Sequence, residues 1–83
     1  MNKGNRYAKQ KMWALAAVHF RKAAYQMAEL IEPQLSLAVA YNNLKMYDKM
    51  AISLAKAKEL SPNDPRVQKL TTLMNQKLRQ GRT

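Results

Sequence analysis

Apolar and polar residues along the chain follow a helical pattern rather than an alternating one. Most positions hold Ala, Leu, Lys, Gln or Met, which are all good helix formers. Val, Ile and Thr form no alternating run, so the pattern predicts no β-strand. Turn-forming residues at 32–33, 42–48 and 61–65 divide the chain. The pattern predicts five helices, over residues 3–10, 14–30, 33–44, 48–60 and 65–79.

Three residues are expected to mark the ends of these helices. Asp64 can cap the last helix, with Pro65 at its first helical position. Asp48 is the expected N-cap of the fourth helix, and Gly81 is expected to end the last one.

The boundary between the first two helices rests on an internal repeat. Local propensity alone would allow one continuous helix over 5–31. A shift of 34 residues, however, aligns the window 7–23 with 41–57 and gives six identities, where chance gives about one. The identical pairs are Tyr7 and Tyr41, Lys11 and Lys45, Met12 and Met46, Ala17 and Ala51, Lys22 and Lys56, and Ala23 and Ala57. Because 43–47 is predicted to be a turn, the repeat predicts a second turn at 9–13.

The period and its residues resemble the tetratricopeptide repeat, a helix–turn–helix unit of 34 residues. The second unit carries the motif at Leu37, Ala38, Tyr41, Tyr47, Leu54, Ala57 and Pro62. The first unit carries it at Gly4, Tyr7, Trp13, Ala16, Phe20 and Ala23. Residues 65–79 lack this signature, which is typical of a terminal capping helix. Neither intra-repeat turn contains a Gly, which departs from the family pattern.

The resemblance implies an all-α fold, a solenoid of antiparallel helix hairpins with a C-terminal capping helix. The chain would be one domain over 1–83, with units at about 1–30 and 31–64 and the capping helix at 65–80. Small residues would let the helices approach closely, and large residues would fill the space between them. We expect the aromatic residues of the repeat to lie in the core rather than to form a base-stacking platform; these are Tyr7, Trp13, Phe20, Tyr41 and Tyr47.

The net charge of +10 is concentrated at the two ends of the chain. Residues 1–28 and 65–83 contain no acid and carry +6 and +5, whereas 29–64 carries −1. Such clusters suit an anionic partner, either an acidic protein segment or nucleic acid.

Composition argues against an enzyme and against a bound cofactor or metal. The chain has no Cys, no Gly-rich phosphate loop and no acids spaced as a catalytic pair. His19 is the one histidine, and no acid lies within 9 residues to orient it, so we expect it to face solvent. The apolar run 12–18 is too short to span a membrane.

The resemblance also implies a partner-binding groove on the inner side of the solenoid. Asn amides there would suit an extended peptide backbone, and Lys or Arg would suit a carboxylate or phosphate. The implied groove residues are Asn5, Lys9, Leu35, Val39, Asn42, Asn43, Arg66, Lys69 and Lys77. Asn5 and Arg66 match two positions of the carboxylate clamp of some family members, but Met1, Ser36 and Leu70 do not match the others.

Two functional hypotheses remain open. The first is an adaptor or scaffold that binds an acidic or extended segment of a partner protein within a larger complex. The alternative is a basic structural subunit of a ribonucleoprotein, such as an organellar ribosome, that contacts RNA phosphates with its two ends. The candidate phosphate contacts are Lys3, Arg6, Arg21, Lys22, Arg79 and Arg82. The compartment stays open between the cytoplasm and the mitochondrial matrix.

Overall fold

The computed structural model describes residues 2–80, which form five helices and no strand. They are α1 (Asn2–Lys9), α2 (Trp13–Gln26), α3 (Glu32–Asn43), α4 (Tyr47–Leu60) and α5 (Pro65–Gln80). The all-α prediction is confirmed, and so is the predicted turn between the first two helices. The largest difference is the end of α2, which stops at Gln26 rather than at residue 30. No Gly or Pro marks that end, so local sequence carried no signal for it.

Each helix packs on the helix that follows it in the chain. The packed pairs are α1–α2, α2–α3, α3–α4 and α4–α5, and α3 also contacts α5. α3 therefore lies at the centre of the molecule, which measures 37 × 29 × 17 Å along its principal axes.

The turns after α1 and after α3 both contain a residue in the left-handed helical region. Lys11 has a φ of 60° and Lys45 a φ of 59°, and the two residues are 34 positions apart. These are the turns at which the sequence offers no Gly. A lysine in this conformation brings its Cβ close to the following carbonyl oxygen, which costs about 1–2 kcal/mol.

The hydrogen bonds of these two turns also repeat at 34 residues. In each turn one amide N–H donates to the carbonyl five residues earlier, and the preceding N–H donates to the carbonyl three residues earlier, which is the Schellman arrangement of a helix C-terminus. The pairs are Met12 N to Tyr7 O (2.9 Å) and Met46 N to Tyr41 O (2.9 Å), and Lys11 N to Ala8 O (3.0 Å) and Lys45 N to Asn42 O (3.1 Å). The sequence repeat is thus matched by the same backbone geometry at both turns.

The core is thin and rich in alanine. About half of its buried apolar residues are Ala, and the large ones include Phe20, Leu37, Tyr41, Met50 and Leu54. Alanine faces let helices approach closely, but each buries little apolar area, so the hydrophobic stabilisation per residue is small.

The aromatic residues of the repeat lie in or against this core. Phe20 and Tyr41 are buried, whereas Tyr7, Trp13 and Tyr47 are partly buried and pack against it. Their predicted packing role is therefore confirmed.

His19 differs in part from the expectation, because its side chain is only partly exposed. Its side chain is half-buried and stacks on Tyr7, with ring centroids 5.3 Å apart and ring planes inclined by 20°. The stacked pair joins α1 to α2, so an aromatic neighbour rather than a carboxylate orients the imidazole.

One of the predicted helix caps is present and one is not. The Asp64 carboxylate accepts a hydrogen bond from the Arg66 N–H (2.9 Å) at the start of α5, as predicted. The Asp48 prediction is wrong, because α4 already begins at Tyr47 and its N-cap residue, Met46, makes no side-chain cap hydrogen bond. Asp48 instead lies in the first turn, where its negative charge favours the helix dipole. Gly81 lies outside the described residues.

Candidate interaction grooves

A groove of about 480 Å³ lies between α1, α3 and α5. We call it the neutral groove. Its lining combines apolar side chains from α3 and α5 with polar ones from all three helices. The lining residues are Asn5, Glu32, Leu35, Ser36, Val39, Arg66, Lys69 and Leu70.

The neutral groove contains part of the groove that the sequence predicts. Asn5, Leu35, Val39, Arg66 and Lys69 lie together in it, although they come from three separate helices. Their meeting depends on α1, α3 and α5 lining one groove, which local helix propensity does not predict.

The other four predicted residues lie outside the lining of the neutral groove. They are Lys9, Asn42, Asn43 and Lys77. The Asn43 Nδ2 donates to the Val39 carbonyl oxygen at 2.8 Å, within the same helix. The Asn42 Oδ1 is buried and has no hydrogen-bond partner among the described residues.

Arg66 is already paired with an acid of its own segment. Its Nη2 lies 2.7 Å from the Asp64 Oδ2, and its Nε donates to Oδ1 at 3.0 Å. The side-chain hydrogen bond from Arg66, with that from its backbone N–H, holds the pKa of Asp64 below its ordinary value. The same side-chain hydrogen bond raises the pKa of Arg66.

This ion pair changes the charge of the groove. With Arg66 paired to Asp64, the remaining charged side chains in the lining are Glu32 and Lys69, which have opposite signs. The groove is therefore close to neutral, and the charge of +10 resides elsewhere on the molecule.

A second groove, of about 640 Å³, lies between α2 and α4 and has α3 as its floor. We call it the basic groove, because three cations and one acid line it. One wall comes from Arg21, Ala24 and Tyr25 on α2 and from Ala28 in the turn that follows it. The other wall comes from Lys49, Ile52, Ser53, Lys56, Glu59 and Leu60 on α4. Its floor consists of Gln34, Leu37 and Tyr41 of α3.

The two grooves open on opposite sides of α3. Successive residues of an α-helix are rotated by about 100° around its axis. On that basis the α3 residues in the neutral groove and those in the basic groove point in directions about 180° apart. A ligand in one groove therefore leaves the other accessible.

The basic groove has exposed apolar side chains on its walls. Tyr25 is 89% exposed, Ile52 58% and Leu60 39%. Tyr25 is the aromatic residue that falls outside the repeat pattern, since the position 34 residues later is Glu59. Because Tyr25 does not pack in the core, an aromatic residue at this position was the sequence feature that could have indicated the groove.

The candidate phosphate contacts are distributed over three helices. Lys3 and Arg6 lie on α1, Arg21 and Lys22 on α2, and Arg79 on α5, and all five are exposed. Arg21 also lines the basic groove, beside Lys49 and Lys56, which sequence reasoning did not single out. Arg82 lies outside the described residues.

Residues 2–80 contain neither a candidate metal site nor a helix that could span a membrane. Within residues 2–80 no three His, Asp or Glu side chains cluster as metal ligands. None of the five helices is long and apolar enough to cross a bilayer. Comparison of the chain with known protein families, with curated proteins and with solved structures finds no match.

Proposed function

We propose that this protein is a non-catalytic interaction adaptor that holds an extended segment of a partner protein in the neutral groove. The observation that carries the proposal is the convergence of α1, α3 and α5 on one groove with an apolar floor and polar rims. Leu35, Val39 and Leu70 would contact alternate side chains of the segment. Asn5 and Ser36 would hydrogen-bond its backbone.

We further propose that the chain is a short tetratricopeptide-like solenoid. In this arrangement α1–α2 and α3–α4 are two helix hairpins, and α5 caps the second. The support is the equality of the two turns, with Lys11 and Lys45 in the same left-handed conformation and the same hydrogen bonds around them. Contacts of α3 with α2, α4 and α5 agree with stacking of neighbouring units.

The charge balance of the neutral groove favours an extended segment of low charge over a strongly acidic one. Arg66 is paired with Asp64, and Lys69 is offset by Glu32. A strongly acidic peptide would gain little there and would be repelled by Glu32. Of the two kinds of segment that the sequence predicts, the extended one fits this groove better.

Two matched substitutions test the adaptor proposal. Val39→Lys places a charge in the neutral groove, and Ile52→Lys places the same charge in the basic groove, at residues that are both exposed and helical. We expect at least one protein that the full chain captures from a nuclease-treated native extract to be lost with Val39→Lys and retained with Ile52→Lys. Equal capture by the two variants, or capture that nuclease abolishes, would contradict the proposal.

The ribonucleoprotein alternative has one observation in its favour. Within residues 2–80, Arg66 is the one cation that forms an ion pair, so the exposed Lys and Arg side chains of α1 and α2, and Lys77 and Arg79 of α5, have no acidic partner. If RNA is the partner, the affinity for a single-stranded RNA oligonucleotide falls with salt by a slope of about 0.7 per phosphate contacted. Arg79→Glu with Arg82→Glu would then weaken RNA binding, whereas Val39→Lys would not.

A further inference from the structure

We propose that the basic groove is a second docking site, which binds an acidic amphipathic helix of a partner protein. It goes beyond the function proposed above, because it concerns the opposite side of α3 and a ligand of different charge and conformation. Three features of the groove carry the inference: its charge, its exposed apolar walls and the helical nature of those walls.

The charge of the basic groove selects an acidic ligand. Arg21 stands on the α2 wall, and Lys49 and Lys56 on the α4 wall, against the single acid Glu59. None of these three cations forms an ion pair within residues 2–80. Carboxylates along both flanks of a bound segment would meet cations on both walls, and this complementarity sets orientation and association rate.

The exposed apolar side chains supply the affinity. Tyr25 projects from α2 with 89% of its surface exposed, and Ile52 from α4 with 58%. Aromatic and aliphatic anchors that lose their exposed area on binding are the usual energetic centre of an interface. Ala24 on α2 and Ala28 in the turn after it have small side chains, so a helix can approach this wall closely.

The walls favour a helical ligand over an extended one. The walls and the floor are formed mainly by α-helices, whose backbone N–H and C=O groups are hydrogen-bonded within each helix. The polar side chains of Gln34 and Ser53 are buried. An extended peptide would leave backbone groups unpaired there, whereas a helix satisfies its own. Residues 49–60 of α4 span about 16 Å, which accommodates three turns of a helix.

A designed pair of peptides tests the charge requirement. One is a helical peptide with Leu at i, i+3, i+4 and i+7 and Glu on both flanks, and its twin carries Lys in place of Glu. We expect the full-length chain to bind the acidic peptide at least about tenfold more tightly than the twin in fluorescence anisotropy at low salt. Equal affinities for the two, or no saturable binding of the acidic peptide up to about 1 mM, would overturn the proposal.

Two lysines of α4 test the location. Lys56 lines the groove, whereas Lys58 is an exposed lysine of the same helix outside it. Lys56→Glu should lower the affinity for the acidic peptide about tenfold and raise the affinity for its basic twin. Lys58→Glu should change neither affinity by more than about twofold. Equal effects of the two variants would mean that net charge alone acts, which would overturn the proposal. Circular dichroism verifies that both variants keep their helices.

The same assay separates this site from the neutral groove and from RNA binding. Val39→Lys should leave the acidic peptide's affinity unchanged, so failure of one groove does not imply failure of the other. A single-stranded RNA oligonucleotide should bind more weakly than the acidic peptide and should compete with it poorly. If the oligonucleotide binds more tightly than the acidic peptide and Lys56→Glu abolishes its binding, the groove is a nucleic-acid site and the proposal is overturned.

Discussion

The backbone of Gly4 in α1 lies directly against the ring of Phe20 in α2. A β-carbon at residue 4 would stand 2.5 Å from Cε1 and 2.6 Å from Cδ1 of that ring, which is closer than non-bonded carbon atoms approach, so the ring or the helix would have to shift. Phe20 is 2% exposed, so its ring has no solvent to move into. The missing side chain of Gly4 is therefore what allows α1 to dock on α2.

Gly4→Ala should accordingly destabilise the protein, although alanine is the better helix former by about 1 kcal/mol. We expect the free energy of unfolding in urea to fall by about 1–3 kcal/mol, as for an overpacked core. Asn5→Ala, one residue further along the same helix and exposed, should cost little. Combining Gly4→Ala with Phe20→Leu should cost less than the sum of the two single changes, and strict additivity would contradict the contact.

Glycine at the two left-handed turn residues should have the opposite effect. Lys11→Gly and Lys45→Gly each remove the steric cost of a β-carbon at φ near 60°. After subtraction of the added entropy of the unfolded chain, we expect each to raise the free energy of unfolding by about 0.5–1 kcal/mol. Lys9→Gly, which lies within α1, should lower it, and a gain from Lys9→Gly equal to that of Lys11→Gly would refute the turn geometry.

The Asp64–Arg66 pair should make stability depend on pH in the acid range. Hydrogen bonds from Arg66 lower the pKa of Asp64 in the folded state, so folding is favoured while the carboxylate is ionised. This contribution is present at pH 7 and is lost as the pH falls below about 4 toward the lowered folded-state pKa.

Asp64→Asn isolates that contribution, because the amide oxygen can still cap α5 but carries no charge. We expect the wild type to be the more stable protein at pH 7 and the difference to shrink as the pH falls below about 4. Chemical unfolding at pH 7 and at a series of lower pH values measures it. Glu59→Gln, which removes an exposed acid without an ion pair within residues 2–80, serves as the control and should show no such convergence.

Asn42→Leu should stabilise the protein. The Asn42 Oδ1 is buried and unpartnered among the described residues, and a buried acceptor without a donor is costly. Replacing the amide by an apolar side chain of similar size should raise the free energy of unfolding by about 1 kcal/mol. Asn43→Leu next to it loses a 2.8 Å hydrogen bond to Val39 and should give no gain, so equal gains would argue against the orphaned acceptor.

The helices and their joints could be predicted because their signals are local or periodic. Propensity and turn residues indicated five helices, and the 34-residue repeat located the turn after α1, where no breaker occurs. The end of α2 at Gln26 could not be predicted, because no Gly or Pro stands there and the helix ends at Met27, whose backbone leaves the helical conformation. The N-cap was predicted at Asp48 but lies at Met46, because the turn closes there. The Met46 N–H donates a backbone hydrogen bond to the Tyr41 carbonyl oxygen, and α4 begins at the next residue.

The grooves were predictable only in part. The repeat brought Asn5, Leu35 and Arg66 into one expected groove, but it could not show that Arg66 would pair with Asp64. The basic groove depends on which faces of α2 and α4 stay uncovered after packing. Those faces are determined by the angles at which the helices cross, and the 34-residue period does not specify these angles. Tyr25, the aromatic residue without a repeat partner, was the available clue.

The packing of each helix mainly on its neighbour in the sequence affects the rate of folding. Contacts join each helix mainly to its neighbour in sequence, so folding closes only short loops and the relative contact order is low. Helical domains of this kind fold in about microseconds to milliseconds. During synthesis, the α1–α2 hairpin can close around Gly4 and Phe20 before α5 has left the ribosome, and each later helix then adds to a surface already formed.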